Sequence, residues 1–362
     1  MEKTGTAILP LHYGHPPEKL FRRMKILSGH LCDLIIEKFG VEDFLIRLSD
    51  PFWFHSLSLA IGFDWNSSGT TTSTLAAMKE HFSQTDYGVK IIGGKGSKMS
   101  LISSEASSLQ QTGFVSDTVK TDLLYKSKIV AKVDQRLLLD GYDLYLHFII
   151  ASSTGKWSII QQGMNNMNRM ARRYHWFYRG INDFINDNRS GISAIREEKD
   201  VVDLSTSKSS EHRDNIVSIL KDNPARFKEL ERKPNQKTLF PSDNNRLLDM
   251  NIRVDWNHMR SIYERSPADF NELYTMKGVG TSTMRALSYL AEVIFGSQPS
   301  YKDPIKYSFA LGGKDGIPKP VNYEDYDKCI SFYSEVLSDY RTGNTESMKI
   351  AENLARNGFS FR

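Results

Sequence analysis

Apolar positions recur at helical spacing near the start of the chain. After Pro16 and Pro17, Leu20, Met24, Leu27, Leu31, Leu34 and Ile35 repeat every three or four residues, which predicts a helix over 16–48. The Arg22, Arg23 and Lys25 cluster then lies mostly off its apolar face. The apolar stretch 56–63 is short and continuous and predicts a buried strand running into a polar segment at 64–72. A helix is expected over 74–82 and a strand over 89–92, closed by Gly93-Gly94-Lys95-Gly96. That order is βαβ, with a polar loop after the first strand.

Further strands are predicted at 128–133 and 144–151. The second pairs with 157–162 through the short polar link 152–156, which contains Gly155 and reads as a hairpin. The pattern therefore predicts a mixed α/β domain over 1–165. Beyond it the alternation fades and helical periodicity takes over, at about 211–222, 255–264, 267–276, 282–295 and 323–340. The small polar runs 205–210 and 234–245 read as linkers. The organisation expected is an α/β N-terminal domain (1–165), a helical connecting region (166–250) and a mainly α C-terminal domain (251–362).

Composition adds little to this pattern. The chain has 362 residues, 40% hydrophobic and 25% charged, as in soluble globular proteins. A net charge of +4 permits a nucleic-acid partner without requiring one. Cys32 and Cys329 stand at opposite ends of the chain, which excludes a zinc ribbon or a disulfide framework by spacing. The first residues lack the apolar core of a signal peptide, and no apolar run is long enough to span a bilayer. The expectation is a cytoplasmic protein without a membrane partner.

The segment 266–296 carries the sharpest motif. Ser266-Pro267-Ala268-Asp269 has helix-start chemistry: Ser266 can cap, Pro267 fits the first turn and Asp269 closes a capping box. Phe270, Leu273 and Met276 mark one face, Gly278-Val279-Gly280 interrupts, and Met284, Leu287, Ala291 and Ile294 continue the stripe. Two glycines around one apolar residue permit a turn whose amides point outward at a helix N-terminus, suited to a phosphate oxygen. Lys277, Ser282 and Arg285 lie beside it. The competing reading is an ordinary αα-hairpin with a glycine turn.

This stretch resembles the hairpin of the helix–hairpin–helix DNA glycosylase superfamily. The resemblance implies an Asp after a Phe-Gly pair, and Asp303 follows Phe295-Gly296 at that spacing. Members that also cut abasic sites carry a Lys at the position of Ser282, so the resemblance supplies a carboxylate and withholds the Schiff-base amine. A structural role for Asp303, capping before Pro304, stands equally beside it.

A second resemblance covers nearly the whole chain. Thr4-Gly5-Thr6-Ala7, Leu11-His12-Tyr13-Gly14-His15-Pro16-Pro17, Gly62-Phe63-Asp64-Trp65, Gly93-Gly94-Lys95-Gly96, Ala131-Lys132-Val133-Asp134, Gln161-Gln162-Gly163-Met164-Asn165, Ala171-Arg172-Arg173-Tyr174-His175-Trp176 and Gly312-Gly313-Lys314-Asp315-Gly316 together resemble domain-of-unknown-function family 763, found mainly in archaea. The name assigns no chemistry. The resemblance implies a role in DNA repair, at oxidised pyrimidines or abasic sites.

Several residues carry candidate chemistry. Asp64, after the expected strand, suits a base or a metal ligand, or a capped loop. Lys95 in its glycine run suits a phosphate, or a plain turn. Lys132 and Asp134 share one strand face; Lys132 suits a nucleophile toward an aldehyde, and a surface ion pair is the alternative. Gln162, with Gln161 and Asn165, suits reading of a flipped base, or simply closing the sheet end. Arg169, Arg172, Arg173 and His175, interleaved with aromatics, suit phosphate contact and stacking, though on a helix part of this set must be core. A divalent metal held by Asp64 with Asp134, or by His12 and His15 with Asp64 or His175, is possible chemistry without supporting ligand spacing.

The leading expectation is a DNA-binding repair enzyme of glycosylase, lyase or endonuclease type, acting on damaged or distorted duplex. Asp303 is its first candidate carboxylate, Lys132 or Lys95 its candidate amines. The alternatives are a non-catalytic DNA-binding accessory factor and an RNA-directed enzyme.

Overall fold

A computed structural model describes residues 18–61, 68–181, 183–194, 197–199, 201–223, 226–228 and 254–305. The expected helix 323–340 and the loop 234–245 lie outside these residues, as do His12, His15 and Asp64.

Strand alternation organises the molecule around one antiparallel sheet. Its strands are Val89–Lys95 (β1), Asp143–Ser152 (β3), Trp157–Asn165 (β4), Met170–Phe177 (β5) and Gly191–Ser193 (β6), in the order β1-β3-β4-β5-β6. Two further strands, Leu138–Leu139 (β2) and Val202–Asp203 (β7), pair separately. The registers Ile149↔Ile159 and Ile159↔Trp176 place those side chains on one face. Phe148↔Ile160 and Ile160↔His175 define the other.

Each face is covered by helices. Glu18–Ser49 (α1), Pro51–Ala60 (α2) and Gly69–Gln84 (α3) pack with Phe148, Ile150 and Ile160. On the opposite side, one hydrophobic cluster runs from Ile149, Trp157 and Trp176 into the helical elements that follow. These are Ile102–Gln111 (α4), Asp117–Lys132 (α5), Ser210–Ile219 (α6), Trp256–Arg265 (α7), Phe270–Thr275 (α8) and Thr281–Phe295 (α9). The described residues thus form three layers, helix–sheet–helix. No described helix is long and apolar enough to cross a membrane.

The segment expected as a strand at 56–63 is instead helical up to Ala60. Asp50 caps it by accepting from the Phe52 and Trp53 amides, and Pro51 fits its first turn. The expected βαβ unit is therefore absent at this point: α2 stands where its first strand was read. The expected strand 128–133 is the last part of α5 and a π-turn at Val133–Leu137. Ser116 starts that helix by accepting from the Val119 amide, so local capping outweighs the β-branched run at its end. The β pattern does not fade after residue 165 either. The Arg-rich segment read on a helix is strand β5, whose side chains alternate between the two helical layers. The expected linker 205–210 is packed rather than open: Ser205, Thr206 and Ser209 are buried.

Gly93 and Gly94 lie inside β1 rather than in a loop after it. Gly93 has φ +101, and an added Cβ would stand 2.2 Å from the His147 carbonyl oxygen. Its amide donates to Glu105 and its carbonyl accepts from Lys79. The glycine run therefore has no free amide at Gly93 with which to cradle a phosphate.

Candidate nucleic-acid interface

The turn around Gly278-Val279-Gly280 is built by caps on both sides. Asp269, not Ser266, caps α8: it accepts from the Glu272 amide at 2.7 Å, and Glu272 accepts from the Ala268 amide at 2.8 Å. Ser266 instead ends α7 in a left-handed conformation with φ 49. Gly278 takes φ +91, and Val279 drops into the core at 1% exposure. Gly280 then opens α9, which has no side-chain cap. A Cβ built on Gly280 meets no atom within 4 Å, so the approach to this helix N-terminus is open. Lys277, Gly278 and Ser282 are exposed there.

A second element holds the turn in place. Lys132, the last residue of α5, donates from Nζ to the Thr275 carbonyl, and Arg136 donates from Nη1 to the Tyr274 (2.6 Å) and Met276 (3.1 Å) carbonyls. Two cations one helical turn apart thus satisfy the carbonyls at the end of α8. Thr281 Oγ1 donates to the Gln135 carbonyl at 2.7 Å, fixing the start of α9 on the same π-turn. Arg265 reaches the Lys277 carbonyl at 2.7 Å, and Arg285 lies half-buried against the Leu139 carbonyl at 3.5 Å.

The local field is positive. Among the described residues, Lys132, Arg136, Lys277 and Arg285 have no carboxylate in an ion pair. Burial holds the Lys132 amine below the usual lysine range, and the Arg136 and Lys128 charges add to that. Exposed carboxylates also stand in this region: Asp269 and Glu272, engaged in the cap of α8, and Asp143. Gln135 Nε2 donates to Asp143 Oδ1 at 2.9 Å and contacts Thr281 Oγ1 at 3.3 Å. Sequence reasoning passed over Asp143, which starts β3; its bond to Gln135, eight residues earlier on the π-turn, sets it at this surface.

The structure therefore gathers Lys132, Lys277, Gly278, Val279, Gly280, Ser282 and Arg285 around one turn. The other candidates lie elsewhere. Lys132 and Asp134 do not share a strand face: Lys132 turns toward α8, whereas Asp134 is fully buried. Asp134 pairs with Arg189 at 2.5 Å and accepts from Trp176 Nε1 at 2.8 Å and from Gln161. Burial raises its carboxyl above the usual range, opposed by Arg189. Asp303 is also buried, at 4% exposure. Arg172 grips it through both Nη atoms (3.1 and 2.6 Å), and the Glu198 amide donates to it at 2.7 Å. Arg172 also holds Asp140 at 2.9 Å, so it serves two internal carboxylates and no external phosphate.

Arg173, His175 and Gln162 lie fully buried on the opposite sheet face, against α2 and α3. His175 cannot ligate a metal in this arrangement: Nε2 accepts from Arg173 at 2.8 Å and Nδ1 meets the Leu48 carbonyl at 3.0 Å. Lys95 is exposed, 5.6 Å over the Tyr145 ring, and Arg169 is exposed with φ 57 in the β4–β5 turn. No group of His, Cys, Asp or Glu suited to a metal occurs among the described residues.

The family model described as protein of unknown function (DUF763) matches residues 5–321. The chain belongs to the DUF763 family. No curated protein and no solved structure matches it. Both arms of the DUF763 surface described above, α5 with its π-turn and the glycine turn before α9, lie within the matched residues.

Proposed function

We propose that this DUF763 protein is a DNA-binding repair enzyme acting at a damaged base or abasic site, with the glycine turn and the end of α5 as its DNA-facing surface. One observation carries the reading: an uncapped, unobstructed N-terminus of a 15-residue helix lies beside four cations that no carboxylate neutralises among the described residues. Backbone amides and cations in this arrangement bind phosphate without reading sequence. The turn is the part that resembles the helix–hairpin–helix glycosylases.

Lys132 is the amine best placed for chemistry there. Its lowered basicity favours the free amine, which attacks the C1′ aldehyde of an abasic sugar, loses water and forms an imine. Loss of a C2′ proton then breaks the C3′–O bond and releases the 3′ phosphate. Asp143, an exposed carboxylate held by Gln135 beside Thr281, is the candidate base. Asp303 and Asp134, each locked in a buried ion pair, favour a second reading in which the protein binds DNA without cutting it.

Incision of labelled duplexes carrying an abasic site, an oxidised pyrimidine or neither separates the two. The enzyme reading expects lesion-dependent cutting that survives chelator, is trapped by borohydride and is lost in Lys132→Ala. Binding of all three duplexes with no product supports the accessory factor. Cutting that needs a divalent metal contradicts the amine mechanism.

A further inference from the structure

Of the four buried arginines among the described residues, two are paired with carboxylates, while Arg213 bonds to the Leu204 and Thr206 carbonyls and to Asn186 Oδ1 and keeps a small exposure. Arg172 holds Asp140 and Asp303, and Arg189 holds Asp134. Arg173 is equally buried, yet no described carboxylate meets it. Its three hydrogen bonds go to neutral groups: His175 Nε2 (2.8 Å), Thr71 Oγ1 (3.2 Å) and the Pro51 carbonyl (3.3 Å). Its Cζ lies 4.7 Å from the Phe54 ring centroid. A guanidinium carries five N–H donors, so two remain. Burial lowers Arg173 to about 9, which still leaves it charged at neutral pH.

The groups around it are also incompletely satisfied. Gln162, Arg173 and Ser193 stand side by side across β4, β5 and β6 on one sheet face. Gln162 Nε2 donates to the carbonyl of Ser68, the residue that precedes α3, at 3.3 Å. Among the described residues Gln162 Oε1, Ser193 Oγ and Thr74 Oγ1 have no partner, although all are buried. Thr74 lies one turn along α3 from Thr71, on the same face. Nearby, burial and the Arg173 charge hold His55 down to about 3 and His175 well below its ordinary value, so neither adds a competing cation. A buried charge that no described carboxylate meets, beside hydroxyls and an amide oxygen without partners among the described residues, suits an anion that also carries a proton to donate.

We propose that Arg173, Thr71, Thr74, Ser193 and Gln162, at the start of α3, form a binding site for inorganic monohydrogen phosphate. The phosphate oxygens accept from Arg173 and the hydroxyls, and its P–OH donates to Gln162 Oε1. The site lies on the sheet face away from the glycine turn and stands independently of the DNA reading. Sulfate at neutral pH and chloride lack the donor, which ranks phosphate above both.

Thermal unfolding of the full chain at matched ionic strength tests this, with chloride, sulfate, inorganic phosphate or a nucleoside 5′-monophosphate as the added anion. Phosphate at about 100 times its Kd is expected to raise Tm by on the order of 5 °C, and sulfate by less. The nucleoside monophosphate, mainly a proton-free dianion at neutral pH, should shift Tm less than inorganic phosphate, and an equal shift would overturn the role of the P–OH donor. Gln162→Glu places a carboxylate opposite Arg173. It should raise Tm in phosphate-free buffer and abolish the phosphate shift; this variant keeps the test usable even if Arg173→Met fails to fold. A wild-type protein indifferent to phosphate beyond its chloride control would overturn the proposal, as would a Gln162→Glu protein that keeps the full shift.

Discussion

Asp303 and Arg172 illustrate what a residue's chemistry depends on. A lone aspartate seven residues after Gly296 reads as a candidate reactive carboxylate. Its partner stands 131 residues earlier in the chain, on β5, and nothing in the local sequence names it. Asp303→Asn leaves Arg172 with Asp140 as its one remaining carboxylate. The expected cost is about 3–5 kcal/mol, the usual penalty for breaking a buried pair, read as a lower urea midpoint. A variant of unchanged stability that nevertheless lost incision would return Asp303 to the reacting site. Lys132 was a candidate amine in the sequence, read on a strand. Its place at the end of α5 beside the glycine turn was not legible, because that depends on the Thr275 carbonyl, 143 residues away.

At the scale of elements, the two glycines of the turn do different work. Gly278 has φ +91, so Gly278→Ala forces a left-handed alanine and costs about 1–2 kcal/mol. Gly280 has φ −126 and open space where a Cβ would go. Gly280→Ala should therefore leave the denaturation midpoint within about 0.5 kcal/mol of wild type while weakening duplex binding, because the methyl group stands before the α9 amides. Equal losses of stability in both variants would remove this distinction. The turn and α9 were readable because their glycines and apolar stripe are local signals. The β3–β4 hairpin was readable for the same reason, through strand alternation around a Gly-containing link. α2 and the end of α5 were misread as strands because 56–63 is a short apolar run, which a buried helix shows as well as a buried strand, and 128–133 is rich in β-branched residues. The deciding signals were the caps, Asp50-Pro51 and Ser116, set further upstream. β5 was misread because an Arg-rich strand buried on both faces shows no apolar alternation; Arg172 and Arg173 reach residues distant in sequence, such as Asp140, Asp303 and Thr71.

The whole molecule places polar clusters inside both helical layers, and this makes it acid-sensitive. Burial holds His147 and His212 down to about 4 and His55 to about 3, with His175 also well below its usual value. Each is neutral in the folded chain and gains a proton on unfolding below about pH 6.5. Their stabilisation is therefore present above pH 6.5 and lost as pH falls toward the folded values, by about 2 kcal/mol per histidine by pH 5. Asp140 works the other way. Burial raises it to about 6, so its contribution is full at low pH and is lost as pH rises through 6; on acidification it returns only about 1 kcal/mol by pH 5. Denaturant midpoints should thus fall steeply from pH 7 to pH 5, and a flat profile would mean that these histidines are not neutral in the fold. The same three-layer packing presents the glycine turn and the α5 cations as one surface, on which the functional account rests. The most direct test is anisotropy of a short labelled duplex across a salt series, for wild type, Arg285→Ala and Lys277→Ala. The account predicts affinity that falls with salt, and a log–log slope shallower by about 0.9 in each variant for the phosphate contact removed. Absent binding, or slopes identical in all three proteins, would contradict it.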